Sequence, residues 1–146
     1  MAEVTGHIAT TPERVWTTLA DGWLYSAWVV GTSKIRAVDA GFPGAGTKIH
    51  HAFGVWPALI QDETEVLASQ PVQHLLLQAR GWPAGEATTA IDLTPSGGGT
   101  AIRIAETPTK GPGAWINNPL AEALLKRRLG ECCERLRLLV EGRGPG

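Results

Sequence analysis

Between residues 33 and 107 the chain carries six strand-like segments, near 33–40, 46–54, 58–69, 72–80, 86–94 and 100–107, each bounded by turn residues. The turns are G-F-P-G-A-G at 41–46, G-V-W-P at 54–57, Gln70-Pro71, G-W-P-A-G at 81–85 and P-S-G-G-G at 95–99. Connections this short cannot carry a crossover helix, so successive strands must run antiparallel as a meander. The 18 glycines and 10 prolines of the 146 residues are spread as such turns and do not collect into a linker, which predicts one domain over 1–146.

Before the meander, residues 3–10 read as a first strand. Thr11 then suits an N-cap, with Pro12 at the first helical position and Glu13 in the first turn, so a helix of about two turns turns Val15, Trp16 and Leu19 inward. Asp21-Gly22 ends it. Residues 23–30, W-L-Y-S-A-W-V-V, allow a second short helix with Trp23, Ala27 and Val30 toward the core, although its β-branched end is a poor helix former.

After the meander, Asn118 can cap and Pro119 can open a helix of roughly six turns that runs to Gly142. At 100° per residue, Ala121, Leu125, Leu129, Cys132, Cys133, Leu136, Leu139 and Val140 fall in one stripe about 120° wide, opposite Arg127, Glu131, Glu134 and Glu141. Such a stripe needs an apolar surface, and the sheet is the one element large enough. The fold class is therefore α+β: a curved antiparallel sheet of about seven strands around a long C-terminal helix, with two short helices after the first strand.

Charge excludes several functions. Thirteen Lys and Arg against fourteen Asp and Glu leave a net charge of −1, with no broad field for phosphate backbones, so no nucleic-acid partner is expected. The one basic cluster, Lys126, Arg127 and Arg128, spreads around a helix and reads as a solvated face. The longest nearly apolar run, Trp23 to Val30, is too short to enter and cross a bilayer, and M-A-E-V-T-G lacks the parts of a targeting segment; both predict a cytoplasmic protein. Cys132 and Cys133 are neighbours on a helix, where bridging them would be strained, so they read as free core thiols.

Several short motifs, in order, resemble a known superfamily. T-P-E-R-V-W at 11–16, W-V-V-G-T at 28–32, H-H-A-F-G-V-W-P at 50–57, G-G-G-T-A-I-R-I-A-E at 97–106, a G-P loop at 111–113 and the helix ending L-R-L-L-V-E resemble the SRPBCC superfamily of START and Bet v 1-like helix-grip proteins, in its bacterial polyketide cyclase/dehydrase-like branch. The resemblance implies a cavity between sheet and C-terminal helix that holds a hydrophobic small molecule, with aromatic and polyketide-derived compounds among the candidates. It implies no cofactor, and it leaves monomer and homodimer open. It also leaves open two other functions: a polyketide cyclase/dehydratase-type enzyme with acid/base residues in the cavity, and a chaperone-regulator-like interaction module, for which Trp82 in the 81–85 turn is the sole hint of an exposed apolar patch.

Familiar catalytic signatures are absent. G-F-P-G-A-G-T-K at 41–48 imitates a phosphate loop, but Thr47 and Lys48 stand in the wrong order and the segment enters a strand. No G-x-S-x-G, C-x-x-C or H-E-x-x-H occurs, so neither a serine nucleophile nor a metal centre is expected. His50 and His51 lie on one strand and must face opposite ways; His51 shares the face of Ile49, Phe53 and Val55 and is assigned inward. There it is either an acid/base group of the cavity or an imidazole satisfied by a neighbour. Glu106, on the face of Ile102 and Ile104, is either a second acid/base candidate or a rim residue paired with Arg80 or Lys110. One of Asp62, Glu63 and Glu65 can face inward.

In a helix-grip fold the loop edges are where the cavity opens, and Trp28, Trp56 and Trp115 stand there as ligand-stacking or packing residues, whereas Trp16 and Trp23 read as core. The expected ligand-binding set is thus Trp28, His51, Phe53, Trp56, Ile104, Trp115 and Leu129, the last from the helix that floors the cavity.

Overall fold

The computed structural model describes residues 2–30, 32–53, 60–81, 85–110 and 119–142, with the backbone alone for Ser33, Phe53, Ile60, Gly81, Gly85 and Lys110. Strand β1 (Ala2–Ile8) is followed by helix α1 (Pro12–Leu19), a 3₁₀ turn (Gly22–Leu24) and helix α2 (Tyr25–Trp28). Six more strands lie between α2 and the last helix: β2 (Thr32–Val38), β3 (Lys48–Phe53), β4 (Ile60–Gln70), β5 (His74–Gly81), β6 (Gly85–Ser96) and β7 (Gly99–Lys110). Helix α3 (Pro119–Gly142) closes the described chain.

The strands form one antiparallel sheet in the order β1-β7-β6-β5-β4-β3-β2. It is the meander expected from the turns, with β1 returning to pair the last strand. The cap of α1 is as expected too: Thr11 Oγ1 accepts the Arg14 N–H at 3.4 Å and Pro12 fills the first position.

The second helical segment departs from the expected pattern. Asp21 Oδ1 accepts the Trp23 N–H at 3.2 Å and opens a 3₁₀ turn, which advances three residues per turn and so shifts the phase of α2. Tyr25 and Trp28 become the buried pair, while Trp23 is 58% exposed and Ala27 also faces out. The β-branched pair Val29-Val30 leaves the helix after a single turn.

Helix α3 runs close to β1 and makes lighter contact with α2, α1 and β7. Gly6 permits that approach, because a Cβ there would stand 2.8 Å from Cys133 Sγ. Leu129, Cys132, Cys133, Leu136 and Val140 are buried, as the stripe requires, and both thiols are free. Ala121, the first member of the expected stripe, is exposed together with Leu120 and Leu124.

Candidate functional site

The inner face of the sheet changes character along its strands. Toward one end it carries large aliphatic side chains, all buried: Val66 on β4, Leu75 on β5, Ile91 on β6 and Ile102 on β7. Toward the other, the same alternation brings up Thr64 and Asp62, then Ala79, then Thr89 and Ala87, then Glu106. Asp62, Ala79, Ala87 and Thr89 are only half-buried although they face the same side as the core. Short side chains on a concave face opposite a helix leave space that aliphatic residues fill at the other end. The candidate site is built from this half of the face.

His51 is fully buried on β3, paired in register with Ile35 on one side and Asp62 on the other. Its Nε2 lies 2.8 Å from Thr64 Oγ1, and its ring stacks on Tyr25 with centroids 5.8 Å apart and planes 11° from parallel. The Tyr25 ring in turn meets Trp28 edge-on at 5.6 Å. Burial, then the positive charges of Arg36 and His50, push the His51 imidazole down to about 4, so it is neutral at pH 7. Burial likewise pushes the Tyr25 phenol up to about 12 and keeps its proton on. His50 faces out, as expected, with Nε2 3.0 Å from Asp39 Oδ1.

Glu106 is 9% exposed and sits on the inner face. Its Oε1 accepts from Thr89 Oγ1 at 3.3 Å and from Arg128 Nη1 at 3.4 Å. The expected partner Arg80 is corrected to Arg128, since Arg80 instead holds Glu63, Glu65 and Glu86, and the side chain of Lys110, the other expected partner, lies outside the described residues. Arg128 is therefore not part of a solvated basic face. Its Nε and Nη2 donate to the Val30 carbonyl at 3.1 and 3.0 Å, and the Val30 N–H points at Cys132 Sγ, 3.3 Å away. Both backbone polar groups of Val30 are thus held by α3. Burial raises both cysteine thiols above their ordinary range, so neither is an activated nucleophile.

Of the expected ligand-binding residues, Ile104 and Leu129 are buried core side chains and Trp28 is buried against Tyr25. Phe53 pairs in register with Ile60, and its side chain lies outside the described residues. Trp56, Trp115 and Trp82 lie outside the described residues. Among the three acids of β4, Asp62 shares the inner face, while Glu63 and Glu65 join ion pairs with Lys48 and Arg80 outside.

Tyr25, Thr64, Thr89 and Arg128 were not legible as site residues. Arg128 does carry a signal, standing three residues after Leu125 and four before Cys132, at the edge of the apolar stripe. Among the described residues no three His, Cys, Asp or Glu side chains are grouped to hold a metal ion, and no helix is long and apolar enough to cross a membrane.

Residues 1–141 match the family model described as polyketide cyclase / dehydrase and lipid transport. The chain belongs to the polyketide cyclase / dehydrase and lipid transport family. Solved structures carry the same fold at low identity. Protein NE0264 from Nitrosomonas europaea aligns with a TM-score of 0.74 and 18% identity over 97% of this chain and 94% of that one. Ara h 8.0201 aligns at 0.72 and 14%, covering 96% of each chain. Protein MLL2253 from Mesorhizobium loti aligns at 0.70 and 20%, covering 99% and 98%. No curated protein matches the sequence. For this member of the family, the seven-stranded curved sheet and long C-terminal helix are the Bet v 1-like helix-grip fold that the motifs at 11–16 and 97–106 resemble.

Proposed function

We propose that this family member binds a hydrophobic small molecule between the open half of its sheet and α3. The carrying observation is the change from buried aliphatic residues to the short, half-buried Ala79, Ala87 and Thr89 on one concave face. A pocket with mostly apolar walls and a few convergent polar groups is the usual form of a small-molecule site, and here Glu106, Thr89 and Arg128 supply those groups. Aromatic and polyketide-derived compounds fit this description, as does an apolar lipid chain.

Acid/base catalysis of cyclisation or dehydration is the second reading. Glu106 supports it, being a carboxyl on the inner face beside a cation. His51 supports it less: an imidazole pushed down to about 4, sealed beneath Tyr25 and bonded to Thr64, is a weak base with little access to substrate. Binding is therefore the reading that the site favours.

Native mass spectrometry of protein purified from its own host tests this. The expected result is a retained apolar molecule that is released on activation of the ions and absent from an Ala87→Phe variant. A host-purified protein that carries nothing, and takes up no hydrophobic compound offered to it, would count against the proposal.

A further inference from the structure

We infer that the ligand of this cavity is uncharged and brings a hydrogen-bond donor, an alcohol or phenol hydroxyl, to Oε2 of Glu106. The inference rests on the binding function proposed above and concerns the chemistry of the molecule bound.

Glu106 presents its two oxygens unequally. Oε1 takes both the Thr89 hydroxyl at 3.3 Å and the Arg128 Nη1 at 3.4 Å, while Oε2 has no bond to any described residue. The residue is nine-tenths buried, on the inner face where half-buried Thr89 and Ala87 mark the space. A carboxylate oxygen so placed is a strong acceptor left open to a donor on a bound molecule. A ligand hydroxyl supplies a donor at the cost of little desolvation.

The surrounding charges exclude the ionised alternatives. A carboxylate or phosphate ligand at Oε2 would meet the Glu106 carboxyl directly. The described cation beside the site, Arg128, is already committed: Nε and Nη2 to the Val30 carbonyl, Nη1 to Glu106. An ammonium ligand at Oε2 would in turn lie close to the Arg128 guanidinium, and like charges taken out of water are costly. The neighbouring groups on the other side are neutral, since His51 has shed its proton and Tyr25 keeps its own at pH 7. A neutral donor on an apolar body is compatible with every one of these neighbours.

The test is a calorimetric titration at pH 7 with three compounds of one shape: 2-naphthol, which is neutral and has a donor; 2-methoxynaphthalene, which is neutral without one; and 2-naphthoate, which is anionic. The naphthol should bind about tenfold or more tightly than either of the others, as expected for a hydrogen bond to a charged acceptor. In Glu106→Gln the naphthoate should gain and the naphthol lose, bringing their ratio toward one. Equal binding of the ether and the naphthol by the wild type, or an unchanged naphthol-to-naphthoate ratio in the variant, would overturn the donor assignment while leaving the cavity intact. Failure of all three to bind would overturn the cavity reading, and the inference with it. The wild-type comparison stands even where the variant folds poorly.

Discussion

Two N–H groups of Arg128, Nε and Nη2, converge on the carbonyl oxygen of Val30 at 3.1 and 3.0 Å, fastening the middle of α3 to the end of α2. The same guanidinium reaches Glu106. Removing it leaves the Val30 carbonyl without these two donors and the nearly buried Glu106 carboxyl with Thr89 alone of the pair that held it. Arg128→Met should cost roughly 1–3 kcal/mol in chemical denaturation, and Arg128→Lys should recover only part, because an ammonium cannot present two parallel donors to one carbonyl while reaching Glu106. A fully stable Met variant would show that the fastening is incidental.

The register of α3 predicts a contrast two residues apart. Leu136 is fully buried and Leu138 is 56% exposed. Leu136→Ala should destabilise by roughly 2–5 kcal/mol and Leu138→Ala by much less. Similar losses would contradict the packing of the helix on β1.

His51 predicts an acid-side loss of stability. Its imidazole protonates near 6.5 in the unfolded chain and only at about 4 when folded, so between those values the unfolded state binds more protons. The contribution is complete above pH 6.5 and is lost as pH falls toward 4, by on the order of 3 kcal/mol. Stability curves of wild type and His51→Gln should diverge across that window, with the variant flatter; parallel curves would mean that the buried ring does not titrate as described.

The free thiols of Cys132 and Cys133 are buried and disfavour the thiolate. A thiol reagent should therefore label them slowly in the native protein and rapidly in denaturant, and a double Cys→Ala variant should lose stability without losing ligand affinity. Immediate labelling of the native protein would contradict their placement.

The fold was readable because it rests on local signals. Thr11-Pro12 starts α1, the Gly and Pro turns separate the strands, and the α3 stripe from Leu125 to Val140 repeats with the helical period. The parity of a strand likewise sent His51 inward and His50 outward. The features hidden in the sequence were long-range. Thr64 reaches His51 from thirteen residues away through a strand register, Arg128 reaches Val30 across ninety-eight positions, and the 3₁₀ turn capped by Asp21 exchanged Trp23 for Tyr25 in the core. Pairings of that kind depend on how elements dock, which neither composition nor periodicity encodes.

The most direct measurement is a titration of 2-naphthol into wild type and into Ala87→Phe. Ala87 pairs with Ala79 across β5 and β6 on the half-buried inner face, so a phenyl ring there occupies the proposed space and displaces little of the existing core. Saturable binding by the wild type and a loss of about tenfold or more in the variant are predicted, with the thermal unfolding of the two proteins similar. Equal binding by a folded Ala87→Phe protein would contradict a ligand site in the open half of the sheet.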